Sequence, residues 1–164
     1  MMINEFVLIP IAHIYNSRTT LEDDNWGDVV AEVILEDSLP EESLDSIDEF
    51  SHAEILFYFD KIEGDKKIQF SRHPRENLSW PKVGIFAQRN KNRPNHLGLT
   101  IVQIIKRKGR SLFVQGLDAI DGTPVLDIKP VMVEYLPREP VHQPDWSHEL
   151  MKEYWTKGEE NFSE

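Results

Sequence analysis

Gly84-Ile85-Phe86-Ala87-Gln88-Arg89-Asn90-Lys91-Asn92-Arg93-Pro94-Asn95-His96-Leu97-Gly98-Leu99-Thr100 and Gly116-Leu117-Asp118-Ala119-Ile120-Asp121-Gly122-Thr123-Pro124-Val125-Leu126-Asp127-Ile128-Lys129-Pro130 are two stretches of one design. Each is a β-like run that breaks into a polar, turn-forming segment and resumes as an apolar run, which puts chemistry on loops held by strands. Outward from them, Val83–Gln88, Leu99–Lys106, Leu112–Leu117 and Val125–Tyr135 predict four strands, with Lys108-Gly109 as a hairpin turn between the second and third. Phe6–Ile14 predicts a buried strand with Pro10 at an edge or bulge, and Val29–Leu35 another. Ala53–Ile62 is the central candidate, apolar on both faces through Ile55 to Phe59 and reaching its first interior-breaking charge at Asp60. Glu63-Gly64-Asp65-Lys66 predicts a turn and Ser71–Pro81 a long loop. These segments make the chain mainly β.

Two short helices complete the prediction. Pro40–Phe50 starts with Pro and acids and sets Leu44, Ile47 and Phe50 on one face. After Pro137, Pro140 and Pro144, Asp145 offers a cap for a helix from Trp146 to about Lys157, whose Leu150, Met151, Tyr154 and Trp155 must cover the β domain or a partner subunit. Residues 1–136 are expected to form the β domain, 137–164 an extension, with Gly158–Glu164 frayed.

At 164 residues with 40% hydrophobic content, the chain can bury one core but not two. Without cysteine there is no disulfide framework, no thiol nucleophile and no cysteine zinc site. The six histidines lack metal-ligand spacing, so no metal is expected. No run of ~18 apolar residues or basic leader occurs, which predicts a cytoplasmic protein without a membrane span. A net charge of −11 argues against electrostatic coating of nucleic acid. Yet Arg72 to Arg110 carries ten Lys and Arg against Glu76 alone, which allows a basic strip on an acidic body.

In the first stretch, Arg89 ends a strand and Arg93-Pro94-Asn95 follows in a restrained loop, so two guanidinium groups project from one turn. Guanidinium forks bind carboxylates and phosphates in two-point fashion. Equally, Arg89 reads as the partner of an acid such as Asp118, with Arg-Pro-Asn capping a loop. In the second, Asp121-Gly122 between apolar runs reads first as an ordinary hairpin. Asp127 and Lys129 alternate with apolar residues and must face water, a site or each other. His52 at a strand entrance reads as structural.

Together the two stretches resemble the TsaA-like (TrmO-like) family, with its pattern of the form G-[IV]-F-A-T-R-x-x-x-R-P-N-x-[IL]-G followed by a D-G-T-P-V-x-D-I-K-P run. Ser51-His52 and His73-Pro74-Arg75 fit as well, extending the resemblance over Phe6 to Tyr135. The resemblance implies a small β-barrel, homodimeric methyltransferase that uses S-adenosylmethionine and methylates the exocyclic amine of threonylcarbamoyladenosine beside the tRNA anticodon. It implies cofactor contacts at Asp60, Lys61, Arg89, Leu99, Asp118, Asp121, Gly122, Thr123 and Pro124. Asp118, Asp127 and Arg93 become candidates for catalysis, and Arg75, Asn95 and Lys129 for substrate binding. Small-molecule methylation and a non-catalytic S-adenosylmethionine-binding barrel are the alternatives. Gln88 stands where many members have Thr, and His96-Leu97-Gly98 where they have Pro-Ile-Gly. Thr19–Trp26 lacks the family's Pro-Arg-Gln-like triplet, leaving Asn25, or Trp26 stacked on a purine, to replace that contact.

Overall fold

Alternating burial along the strands closes them into a barrel, as seen in the computed structural model, which describes residues 5–62 and 67–157. The strands are β1 (Ala12–Tyr15), β2 (Val30–Leu35), β3 (His52–Tyr58), β4 (Ser71–Arg72), β5 (Val83–Gly84), β6 (Leu97–Lys108), β7 (Ser111–Gln115) and β8 (Pro124–Pro130). The barrel runs β1-β2-β7-β6-β3-β8 and closes back on β1 through antiparallel pairs, while β4 and β5 form a separate ribbon. Closure leaves the barrel no free edge. β3 is central as expected, paired with both β6 and β8, with a register shift between Leu56 and Phe57. Inward positions with period two supply the core: Ala12 and Ile14, Ala31 and Val33, Ile55 and Phe57, Leu112 and Val114, and Val125.

Antiparallel pairing sorts the connections into two ends. At one lie the β6–β7 hairpin, where Gly109 takes φ +58°, and residues 36–51, whose Leu44 closes the core. At the other lie residues 16–29, the long connection from β3 to β6, residues 116–123, and the C-terminal segment.

Several elements depart from the sequence reading. β1 begins only at Ala12; Phe6 to Ile9 lie exposed rather than in a buried strand, because pairing with β8 starts at Ile11. Two 3-10 turns, Glu41–Leu44 and Ile47–Glu49, replace one helix over Pro40–Phe50, since Ser46 between them is left-handed at φ 63°. The strand from Val83 stops after two residues at a 3-10 turn, Ile85–Ala87. The C-terminal helix α1 spans only Asp145–Met151, starting after Pro144, with Asp145 inside it rather than capping it. The Asp121-Gly122 turn, with Gly122 at φ +81°, joins β7 to β8, which are not neighbours, so it bridges the barrel end instead of closing a hairpin. The predicted turn at Glu63–Lys66 and the terminal Gly158–Glu164 lie outside the described residues.

Candidate active site

β3 and β6 pair so that Phe57 faces Gly98 and Ile55 faces Thr100, which sets Thr100 inward near the barrel end. Gly98 is required there by close approach: a Cβ on it would come within 2.3 Å of the Phe57 ring. Beyond this pair the chain between Ile85 and His96 folds over the barrel mouth. Asn95 and His96 take left-handed conformations, φ 62° and 49°, after Pro94. Gln88 is buried, and its amide donates to the Val83 carbonyl at 3.1 Å, a local brace beneath the loop. Arg93 donates to the Gln88 carbonyl at 2.9 Å and Arg89 to the Leu99 carbonyl.

The result is a cavity of about 330 Å³, at the lower end of the range for small-molecule sites of about 300–1,000 Å³. Phe57, Phe59 and Phe86 give it aromatic surface, Arg89 and Arg93 positive charge, and Asp118 a carboxylate, with Asn95 and Leu99 also in the lining. Phe57 and Phe59 meet edge to face at 5.3 Å. Asp118 is held from two sides. The Thr100 hydroxyl donates to Oδ1 and the Tyr154 hydroxyl to Oδ2. Burial, first, and the Asp118 charge, second, push the Tyr154 phenol well above its usual range, so it keeps its proton and acts as a donor.

The predicted site residues therefore separate into groups. Arg89, Arg93, Asn95, Leu99 and Asp118 share the cavity, so residues of the two motifs meet there. Asp121 to Pro124 do not line it: Asp121 Oδ1 accepts from the Asn16 amide at 3.0 Å, Gly122 N–H bonds the Ile14 carbonyl, and Thr123 is buried. Their turn braces residues 16–18 beside the site. Asp60 and Lys61 are exposed just past Phe59 and pair with each other at 3.2 Å. Arg75 makes a bidentate bond to Asp24, at 3.0 and 2.7 Å, which raises its pKa. Asp127 faces Leu56 in the register, on the barrel's outer surface, and pairs with Lys129 at 2.6 Å; that bond raises the Lys129 pKa. Trp26 is unavailable for stacking on a purine, being 3% exposed beneath the Arg18 guanidinium and against Tyr154. Asn25 instead bonds Thr156. His52 bonds Ser51 at the start of β3, the barrel end away from the cavity. Among the described residues no cluster of His, Asp or Glu could hold a metal, and no helix is long and apolar enough to cross a membrane.

Three groups belong to the site beyond the residues predicted from sequence: Thr100, the phenylalanine trio and Tyr154. Thr100 had a local signal, a hydroxyl at an inward position of an apolar strand, whereas Tyr154 reaches Asp118 from 36 residues away in sequence.

Residues 21–136 match the family described as the tRNA-methyltransferase O N-terminal domain. The chain is 43% identical over 99 residues to the tRNA (adenine(37)-N6)-methyltransferase of Mus musculus, covering 58% of this chain and 22% of that protein. It is 32% identical over 127 residues to an S-adenosyl-L-methionine-binding protein of Archaeoglobus fulgidus, covering 75% of this chain and 87% of that one. It thus spans less than a quarter of the mammalian relative but most of the archaeal one. In fold it resembles the crystal structure of TrmO from Pseudomonas aeruginosa, with a TM-score of 0.67 at 23% identity over 84% of this chain and 61% of that one. With the family match spanning both motifs and all seven strands from β2 to β8, the chain belongs to the tRNA-methyltransferase O N-terminal domain family.

Proposed function

We propose that this protein is an S-adenosylmethionine-dependent methyltransferase of the cytoplasm that methylates the exocyclic N6 amine of a tRNA adenosine, the threonylcarbamoyladenosine beside the anticodon being the specific substrate. The carrying observation is the single cavity in which Arg89, Arg93, Asp118 and three phenylalanines converge inside the family-matched region. This donor set fits the cofactor. The phenylalanine rings suit a purine face, and the guanidinium groups suit the carboxylate of its methionine portion. When bound, it supplies a methyl group already activated on a sulfonium. Asp118 accepts a hydrogen bond from the target amine, aligning its nitrogen for in-line attack, and takes the proton released on methylation. Two bonds already fix the carboxylate, which leaves lone-pair capacity for that third partner. Asn95 at the rim adds a polar contact to substrate. In this reading residues 1–136 carry the cofactor and 137–164 are an extension.

A tRNA partner is favoured by a second cavity of about 300 Å³ lined by Arg72, His73 and Lys82 among others. Arg72 and Lys82 make no ion pair among the described residues, which leaves them for phosphates despite the net charge of −11. Homodimerisation is favoured by the outer face of β6, where Leu99, Ile101 and Ile105 stand 44 to 47% exposed beside Tyr58 and call for cover by a matching face. The archaeal relative of similar length favours a second reading, a barrel that binds S-adenosylmethionine without transferring its methyl.

Calorimetry should show S-adenosylmethionine binding, weakened roughly tenfold or more by Arg89→Ala, the scale of losing a hydrogen bond to a charged group. Incubation with tRNA from a strain lacking the homologous enzyme should then add one methyl to the anticodon-loop adenosine by mass spectrometry. Binding without methyl gain would refute the tRNA substrate and favour the small-molecule or the non-catalytic reading; no binding at millimolar cofactor would refute all three. A monomer by light scattering would refute the dimer.

A further inference from the structure

The C-terminal segment, outside the family-matched residues 21–136, does not trail away from the barrel but is fastened across the end that holds the cavity. The Asn25 and Trp26 amides donate to the Glu153 and Tyr154 carbonyls, at 3.0 and 2.8 Å. Thr156 bonds the Asn25 side chain, and the Trp80 indole donates to Glu149 at 2.7 Å while its ring meets Trp146. Gly27 is shaped for this crossing: a Cβ there would lie 2.0 Å from the Trp155 carbonyl oxygen. Beneath the strap, the Tyr154 ring packs on Trp26, Val29 and Ile120. That packing aims its hydroxyl at Asp118 Oδ2, opposite the bond from Thr100.

We propose that Tyr154 is a positioning residue: residues 145–157 form a strap that delivers its hydroxyl to Asp118 and holds that carboxylate in the orientation the methyl acceptor meets. This rests on the methyltransferase reading for its effect on catalysis, but the clamp on Asp118 exists without ligand. The raised pKa of Tyr154 supports it, because a phenol that stays protonated is a constant donor. Fixing a carboxylate by two donors removes its freedom to rotate away from a third partner.

The test is a cycle of Tyr154→Phe, Asp118→Asn and the double variant in the full chain. Tyr154→Phe keeps the packed ring and removes only the donor. It should lower kcat on the tRNA about 10- to 100-fold, the scale of losing a hydrogen bond to a charged group, with the cofactor Kd within twofold of wild type. In the Asp118→Asn background the same change should add less than twofold. Independently of activity and with no ligand present, Tyr154→Phe should displace the Asp118 carboxyl-carbon NMR resonance, whereas Tyr135→Phe, exposed and remote, should not. An unmoved resonance, or equal kinetic effects in both Asp118 backgrounds, would overturn the proposal. A wild-type protein inactive on tRNA would count against the methyltransferase reading, and the resonance would still decide the clamp.

Discussion

Gly98→Ala is the sharpest probe of how the barrel wall shapes the cavity. The new methyl would sit 2.3 and 2.4 Å from two ring carbons of Phe57, far inside contact distance. Phe57 has no room to retreat: it is 1% exposed, packed in the main core and set edge to face against Phe59. Overpacking of this kind costs about 1–3 kcal/mol, and for a protein of this size each kcal/mol lowers Tm by roughly 2–4 °C, so the variant should melt about 2–12 °C below wild type by circular dichroism. The displaced ring also lines the cavity, so S-adenosylmethionine affinity should fall alongside stability. Phe57→Leu in the same chain removes the ring edge that the methyl meets, and the double variant should be more stable than the sum of the single changes predicts. A Gly98→Ala protein melting within a degree of wild type, or strictly additive losses, would refute the close approach.

Gly27→Ala puts a methyl against backbone rather than a movable side chain, 2.0 Å from the Trp155 carbonyl; amide exchange at Asn25 and Trp26 should accelerate, with the barrel amides of β3 and β6 unchanged. Arg75→Ala should cost no more than about 1 kcal/mol by urea unfolding, and the difference should shrink in 1 M salt, because the Arg75–Asp24 pair is partly exposed. Tyr154, facing Asp118, Arg89 and Asp23, has its folded pKa raised above 10.0. Its stabilising share is therefore complete below pH 10 and falls as pH rises further, by about 1.4 kcal/mol per unit. The stability advantage of wild type over Tyr154→Phe should narrow between pH 10 and 11, and a constant difference would show that the phenol is not shielded.

Some turns and one apolar run that the sequence carried locally are kept, whereas several positions that depended on distant chain segments meeting are revised. Ile55 and Phe57 in a two-sided apolar run, Gly109 after Lys108 and Gly122 after Asp121 each have a reason within a few residues, and β3, the β6–β7 turn and the positive-φ turn all form. Phe6 to Ile9 looked like a strand because composition alone is blind to where a partner strand ends. Asp127 and Asp118 looked alike, as acids in one motif, but barrel register turns the first outward beside Leu56, and the loop after β7 brings the second to Thr100. Trp26 looked free to stack on a ligand because nothing near it in the chain reveals Arg18 above and Tyr154 beside it. In each case the deciding contact spans tens of residues, and closure of the barrel creates it. The same closure explains why the two motifs meet. β6 begins at the end of the first and β8 forms the end of the second, and β3 lies between β6 and β8, so ordering the central strand brings the Arg89–Arg93 loop and Asp118 to one barrel mouth.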